Sequence, residues 1–178
     1  TLALFFEAYD LSMLTAALPR IAPALGMTEA DLPSHLATIR LGALPAFLLI
    51  PLTDRLGRRR MFLASVAGVS LCTFLTAFAQ TSTQWVVIQM CARPFVLTGA
   101  AVAVVIVTEE FPAAHRGWAL GMLGALSSTG HGLGALLFGA IDYLPFGWRF
   151  LYALGALPLL LLPRFIRELP ETRRFTAH

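Results

Sequence analysis

The sequence contains no lysine, no asparagine and only two cysteines among its 178 residues. All 13 basic residues are therefore arginines, and N-linked glycosylation is excluded because it requires asparagine as the acceptor. Charge of either sign is scarce, since 13% of the residues are charged, whereas a typical soluble domain has about a quarter. This composition argues against a soluble globular domain.

Motifs for catalysis, metal binding and nucleic-acid binding are also missing. Cys72 and Cys91 lie inside apolar runs, so we interpret them as small buried residues rather than as a disulfide. The chain has no H-E-x-x-H motif for a metal and no G-x-S-x-G element for a serine nucleophile. A formal charge of +3, with the arginines spread over several faces, argues against nucleic acid. We expect no enzyme, no metal site and no cofactor.

Long hydrophobic runs occupy most of the chain between the few charges. Six apolar segments, numbered 1 to 6 below, cover about residues 2–18, 35–52, 61–79, 85–107, 117–141 and 149–166. Segment 3 has 19 residues, which gives a helix of about 28 Å, close to the thickness of the hydrocarbon core. Helices are the expected form, because open sheet edges cannot face lipid. The sequence predicts an all-α integral membrane protein, with residues 1–178 forming one bundle of six transmembrane helices.

The first apolar segment begins almost at residue 1. It has no initiator methionine and no basic leader, and it contains Glu7 and Asp10, which are not typical of a cleaved signal peptide. We therefore expect the chain to start inside a helix whose beginning is missing.

The arginines are distributed unequally between the two sides of the predicted bundle. The gaps on one side contain nine, and those on the other side contain only Arg20 and Arg149. The nine are Arg55, Arg58, Arg59, Arg60, Arg116, Arg164, Arg167, Arg173 and Arg174. Because loops rich in basic residues stay in the cytoplasm, this pattern predicts that both termini of the segment are cytoplasmic.

A weak internal repeat relates the two halves of the chain. LGRRRMFLA, between segments 2 and 3, is similar to FGWRFLYAL, between segments 5 and 6, with Gly57 matching Gly147 and Arg59 matching Arg149. Such an offset predicts that segments 4 to 6 repeat segments 1 to 3 in inverted topology, a plan common in transporters.

The stretch PLTDRLGRRRMFL resembles the signature loop of the major facilitator superfamily, whose pattern is G-x-L-x-D-R-x-G-R-R. The matching residues are Leu52, Asp54, Arg55, Gly57, Arg58 and Arg59. Ile50 stands where the family pattern has its leading glycine. In the family, the acid and its arginines hold the two halves of the transporter together in one state. The resemblance therefore implies a gating latch here, although the loop could also act only as a topology signal.

Three further stretches resemble the same family. FFEAYDLSMLTAALPRIA is similar to the first helix of proton-coupled metabolite and organic-acid symporters. TEEFPAAHRG is similar to the loop between helices 4 and 5, with Glu109, Pro112, Arg116 and Gly117 in matching positions. ELPETRRF, after segment 6, resembles P-E-S-P-R, with Arg173 in place of the second proline.

The resemblance covers the N-terminal six of the family's twelve helices, so it implies a chain truncated at both ends with its C-terminal half missing. It implies a secondary transporter that works by alternating access, and we expect proton symport of a small organic metabolite in a bacterial plasma (inner) membrane. The expected partners are the solute, protons and membrane lipids, without nucleic acid. The alternatives are a facilitator or antiporter of the same superfamily and a non-transporting half-transporter.

Ionisable residues at membrane depth are costly and therefore mark functional sites. Asp10 lies nine residues before Pro19, or about 14 Å along a helix, and Arg93 lies at a similar depth of about 12 Å below Trp85. In the resembled family both helices line the central cavity, so we predict an Asp10–Arg93 pair that couples transport to protons. A static ion pair between the two helices is the alternative. Glu7 is predicted to share a helix face with Asp10 and to belong to the same site.

Two further charged positions lie in the outer half of the predicted bundle. Arg40 is a candidate cavity residue, or it extends its long side chain toward the membrane surface. His131 is a candidate proton site, or its ring is satisfied by Ser127 or a neighbouring carbonyl. Gly130 and Gly134 next to it form a G-x-x-x-G pattern, which favours close helix packing.

Overall fold

The computed structural model describes residues 2–168, and these residues form helices connected by short turns. The motif ELPETRRF, apart from its first residue, and the predicted cytoplasmic arginines Arg173 and Arg174 lie outside the described residues. The α-helices are α1 (Leu2–Ala16), α2 (Leu18–Ala24), α3 (Leu32–Leu41), α4 (Ala46–Leu56), α5 (Arg58–Thr76), α6 (Ser82–Glu110), α7 (Ala113–Gly139), α8 (Trp148–Gly155) and α9 (Leu157–Glu168). A 3₁₀ turn, Ile141–Tyr143, follows α7.

Three of the predicted segments are each divided into two helices by proline or glycine. Segment 1 becomes α1 and α2, and Pro19 stands in the first turn of α2. Segment 2 becomes α3 and α4, which are separated by Gly42 and Pro45. Segment 6 becomes α8 and α9, with Pro158 at the second position of α9. Proline has no N–H for the helical ladder and clashes with the preceding turn, so a helix bends or restarts where it occurs.

Segments 3, 4 and 5 each form one continuous helix, with bounds that differ from those expected. Segment 4 was predicted over 85–107, whereas α6 runs from Ser82 to Glu110. Its earlier start is stabilised by Thr81, which caps the first turn by accepting a hydrogen bond from the Gln84 N–H. By length and composition, two helical stretches of the described chain could cross a membrane, Leu32–Leu56 and Ser82–Glu110.

The helices pack in the pairs that an inverted repeat requires. α1 packs along α7, and α6 packs along α3 and α4. In the inverted repeat, segments 4 and 5 are equivalent to segments 1 and 2. The contact of segment 1 with segment 5 (α1 with α7) therefore corresponds to the contact of segment 4 with segment 2 (α6 with α3 and α4). The all-α half-bundle predicted from the sequence is confirmed.

Close approach of the helices depends on glycine at particular positions. A Cβ atom at Gly130 would lie 2.2 Å from the backbone oxygen of Phe5, and one at Gly134 would lie 2.8 Å from Oγ of Ser12. Small residues let helix backbones approach in this way. Gly130 and Gly134 therefore form the predicted packing step, and their partner is α1.

Two apolar clusters occupy the two ends of the bundle. One is built around Tyr9, Met13, Trp85 and Leu151, and the other lies nearer the arginine-rich loop and includes Leu4, Phe62, Val66, Val102 and Leu123. Between them lie the buried polar residues Glu7, Asp10, Ser65, Ser70, Thr73, Thr76, Gln89 and Thr98. Large apolar side chains such as Phe47, Leu48 and Leu136 are exposed instead on the outside. An outer surface this apolar, with polar groups inside, is suited to lipid or to another helical bundle.

Candidate functional site

The carboxylate of Asp10 lies in the buried polar layer, and 5% of the residue is exposed. It accepts a hydrogen bond of 2.8 Å from the hydroxyl of Thr73, which α5 supplies. The Thr73 hydroxyl oxygen also lies 2.9 Å from the Val69 carbonyl oxygen within its own helix, so its single proton is shared between two acceptors. Thr73 was not predicted from the sequence as the partner of Asp10. Polar residues at positions 70, 73 and 76 of an apolar helix, on one face, were the signal that could have revealed it.

Arg93 lines the same cavity as Asp10 but forms neither a hydrogen bond nor an ion pair with it. Both residues line a cavity of about 10 Å³, together with Gln89 and Val96. A volume of this order holds about one water molecule. In this conformation Thr73, and not the guanidinium of Arg93, is the hydrogen-bond partner of Asp10. The predicted pair is thus brought to one cavity as two facing groups rather than as a direct ion pair.

Gln89 is a second cavity residue that the sequence analysis missed. It is 4% exposed, lines the Asp10 cavity, and donates a hydrogen bond of 3.2 Å to Thr76 of α5. Because Gln89 lies one helical turn from Arg93, a polar stripe at spacing four was the available signal. Together, Asp10, Gln89 and Arg93 place a carboxylate, an amide and a guanidinium around one small polar space.

Glu7 lies in a different cavity from Asp10, although the two residues are three positions apart on α1. The cavity of Glu7 has a volume of about 10 Å³ and is also lined by Ser70, Gly155 and Pro158. Its Oε1 atom is buried and accepts no hydrogen bond from the described residues. Gly99 is pressed against this atom, since a Cβ there would lie 2.3 Å from it. Glu7 and Asp10 therefore line neighbouring cavities, because three residues of helix separate their side chains by about 60° around the axis and about 4.5 Å along it. The assignment of Glu7 to the proton-coupling site stays a prediction.

Arg40 and His131 lie outside these two cavities. Arg40 is exposed near the end of α3, a position that suits a side chain extending outward. The ring of His131 is exposed, and its Nδ1 atom lies 3.0 Å from the Ser127 carbonyl oxygen. The backbone carbonyl of His131 accepts a hydrogen bond of 3.1 Å from Ser12. Nδ1 of the ring is thus satisfied within its own helix, and the role of His131 as a proton site stays a prediction.

The arginine-rich loop is joined to the loop between segments 4 and 5 by Arg58. Nη2 of Arg58 lies 3.1 Å from a carboxylate oxygen of Asp54 and 3.1 Å from one of Glu109. The side chains of Arg58 and Glu109 are 15% and 11% exposed, whereas that of Asp54 is 73% exposed. Gly57 turns the chain between α4 and α5 with a φ of 94°, in the left-handed region that favours glycine. The two signature motifs therefore meet through one ion-paired arginine, and Asp54 remains accessible from outside the bundle.

The remaining residues of the two motifs have local roles. Arg59 donates to the backbone oxygen of Ile166 near the end of α9, and Arg55 is exposed. Arg116 donates to the carbonyl of Phe111 at 3.1 Å. Pro112 precedes the first residue of α7, and Gly117 faces open space. Within residues 2–168, no three His, Cys, Asp or Glu side chains come together as ligands for a metal ion.

Comparisons with known proteins agree on the family. The family model described as Major Facilitator Superfamily matches residues 1–177. Among curated proteins, the chain is similar to a gallate transporter of Pseudomonas putida, with 29% identity over 99% of this chain and 39% of that protein. It is also similar to a benzoate transport protein of Acinetobacter baylyi, with 25% identity over 97% of this chain and 38% of that protein. The chain therefore spans less than half the length of these relatives.

Among solved structures, the fold is similar to that of the proton:xylose symporter XylE bound to 6-bromo-6-deoxy-D-glucose. The TM-score is 0.75 at 17% identity, over 99% of this chain and 44% of that chain. Because the family model covers nearly every residue, and the bundle and both loop motifs agree with it, the chain belongs to the major facilitator superfamily of multi-pass membrane transporters.

Proposed function

We propose that this chain is the N-terminal half of a proton-coupled symporter, in which Asp10 carries the proton. The observation that supports this role is the position of Asp10, which is buried in a cavity that it shares with Arg93. A buried carboxylate loses its hydration when it is charged, whereas a facing guanidinium and the Thr73 hydroxyl stabilise the charge. Small changes in the distance to Arg93 or in access to water would then decide whether Asp10 binds a proton.

The cavity chemistry favours an anionic solute. When Asp10 takes up a proton, the positive charge of Arg93 is no longer balanced by the facing carboxylate, and a solute carboxylate can take its place. Gln89 supplies an amide beside it that can bind further polar groups. Two relatives are named for gallate and benzoate transport, which are both aromatic carboxylates. We therefore propose a small organic acid as the solute.

A neutral polyol is the second candidate for the solute. Myo-inositol transporter 3C of Cryptococcus neoformans is 28% identical over 96% of this chain and 30% of that protein. In that case Gln89 and Arg93 would bind hydroxyl groups, and the proton on Asp10 would serve only for coupling. Competition of unlabelled gallate, benzoate and myo-inositol against uptake of each labelled compound would separate the two classes.

Arg58 is proposed to act in switching between the two states of the transporter. It is held on one side by Glu109 of the same bundle, while Asp54 is exposed and can contact the other half. We further propose that this end of the bundle faces the bacterial cytoplasm, as the arginine distribution predicts.

The proposed function is tested with the full-length transporter reconstituted into liposomes with an imposed proton gradient. Asp10→Asn is expected to abolish accumulation driven by the gradient while exchange of solute across the membrane continues. Glu29→Gln is the matched control, because Glu29 is an exposed acid before α3 and does not line the Asp10 cavity. Accumulation by Asp10→Asn at the rate of the unmodified protein would show that another group carries the proton.

A further inference from the structure

A groove of about 420 Å³ lies at the end of the bundle opposite the arginine-rich loop, between the end of α5 and the start of α8. Its volume falls in the range of about 300–1,000 Å³ that is typical of small-molecule sites. The walls are apolar and include Ala77, Phe78, Phe150 and Ala153. Arg149 provides the charged group at the groove. The groove is separate from the cavities of Asp10 and Glu7, and no part of the transport mechanism uses it.

The guanidinium of Arg149 is held beside the groove with hydrogen-bonding capacity left over. It donates one hydrogen bond of 3.1 Å to the Ala79 carbonyl and lies 5.0 Å from the centre of the Trp148 ring. Arginine has five N–H donors. No acidic side chain of the described chain forms an ion pair with Arg149, in contrast to Arg20, which is paired with Asp142 at the same end. An anion with several oxygens is therefore the ligand that Arg149 can accept.

The groove continues into an exposed apolar strip at the end of α5. Leu71 and Phe74 of α5 and Phe78 in the turn after it are 50%, 41% and 64% exposed. The rings of Phe74 and Phe78 are in contact, with their centres 5.1 Å apart. This strip runs from the groove toward the middle of the bundle. A long hydrocarbon chain would bury it, whereas a small soluble anion would leave it uncovered.

Exposed aromatic residues at this end of the bundle fit a position of the groove at the level of lipid headgroups. Tyr143 and Phe146 are 90% and 85% exposed at this end of the bundle, and aromatic side chains such as tyrosine are enriched at the membrane–water interface. Phe146 adopts a φ of 63°, which is uncommon for a residue with a side chain, and Gly147 follows with a φ of 58°. The Phe146 ring lines the groove.

We propose that this groove binds one anionic phospholipid from the leaflet opposite the arginine-rich loop. The phosphate oxygens accept hydrogen bonds from Arg149, and one acyl chain follows the groove and the strip formed by Leu71, Phe74 and Phe78. The bound lipid covers the outer contact between α5 and α8 and so stabilises it. The site is independent of the transported solute and of proton coupling.

The test is native mass spectrometry of the purified protein in detergent, with phosphatidylglycerol or phosphatidylcholine added in equal amounts. We expect one phosphatidylglycerol to be retained in preference to phosphatidylcholine, and its retention to fall by about fivefold in Arg149→Gln. Arg20→Gln is the matched control, because it removes the same charge from the same end of the bundle and Arg20 does not line the groove. Ala153→Leu fills the groove at an exposed position while keeping Arg149, and should reduce retention to a similar extent.

Three results would overturn the proposal. Equal loss of lipid in Arg149→Gln and Arg20→Gln would mean that only the overall surface charge attracts it. Unchanged retention in Ala153→Leu would mean that no chain lies in the groove, and this variant remains informative if Arg149→Gln does not fold. Displacement of the lipid by millimolar inorganic phosphate would show an anion site without a lipid site.

Discussion

Gly42 lies against the backbone carbonyl of Met90, and a Cβ atom at Gly42 would be 2.1 Å from that oxygen. Pro94 follows Met90 by four residues in α6 and has no N–H to donate to this carbonyl. The carbonyl that Pro94 leaves without a helical donor is therefore the same one that Gly42 contacts. At this point the junction of α3 and α4 packs on α6. Arg93 immediately precedes this proline, so the contact also positions the cavity.

Gly42→Ala should destabilise the bundle by about 1–3 kcal/mol, the usual cost of inserting a methyl group where the backbone must move. Gly121→Ala in α7 is the control, because nothing lies within 4 Å of its Cβ position. In that control the better helix propensity of alanine should leave stability unchanged or slightly higher. Thermal unfolding in detergent measures both variants. Equal midpoints for the two would contradict the close contact.

The contact of α1 with α7 can be tested within a single helix. Gly130→Ala places a Cβ 2.2 Å from the Phe5 backbone oxygen, whereas Gly132→Ala meets nothing within 4 Å. We expect Gly130→Ala to lower the unfolding midpoint by several degrees, since about 1 kcal/mol corresponds to roughly 2–4 °C in a chain of this size. Gly132→Ala should unfold at the same temperature as the unmodified protein. If only Gly132→Ala lowered the unfolding midpoint, α7 would pack against α1 through a different face from the one that contains Gly130.

The two acids that pair with Arg58 should differ in their effects. Glu109→Gln removes the charge from a largely buried partner and should cost more stability than Asp54→Asn, whose carboxylate is 73% exposed. We expect Asp54→Asn to keep expression and solute binding while slowing transport, because its proposed role is in switching. Uptake rates and binding are measured on the same preparation. Transport by Asp54→Asn at the normal rate would reduce the loop to a topology signal.

A double variant separates the coupling role of Asp10 from a structural one. Asp10→Asn alone leaves Arg93 without a facing charge, which could cost about 3–5 kcal/mol if Arg93 were fully buried and less here, where it is half-buried. Asp10→Asn combined with Arg93→Gln has no uncompensated charge and should regain expression. We expect this double variant to fold without accumulating solute under a proton gradient. Recovery of both expression and accumulation would mean that the two residues act only as a structural pair.

The orientation of the bundle is a prediction from the arginine count alone. A reporter fused after His178 should be cytoplasmic, and one inserted between Gln80 and Gln84 should be on the opposite side of the membrane. Alkaline phosphatase and fluorescent-protein fusions report the two locations. If both reporters are found on one side, the predicted number of crossings is wrong.

Several features could be predicted without the structure because they depend on local properties of the chain. The apolar runs require helices in a membrane, and proline and glycine mark where segments 1, 2 and 6 divide, although the sequence analysis did not use them for that purpose. Gly130 and Gly134 were predicted as a packing step from their spacing alone. The motif residues Asp54, Arg58 and Glu109 were identified through the family resemblance, but not the contact that joins them.

Other features depended on how helices distant in sequence pack against one another. The sequence by itself determined the helical bundle, its family and the placement of Asp10 and Arg93 at similar depth, because hydropathy, motif spacing and helical rise are local quantities. Only the tertiary structure decided that Thr73, 63 positions away, is the partner of Asp10, and that Glu7 lies in a cavity of its own. The rotation of each helix about its axis selects these partners, and this rotation is set by contacts such as those of Gly42 and Gly130 with other helices.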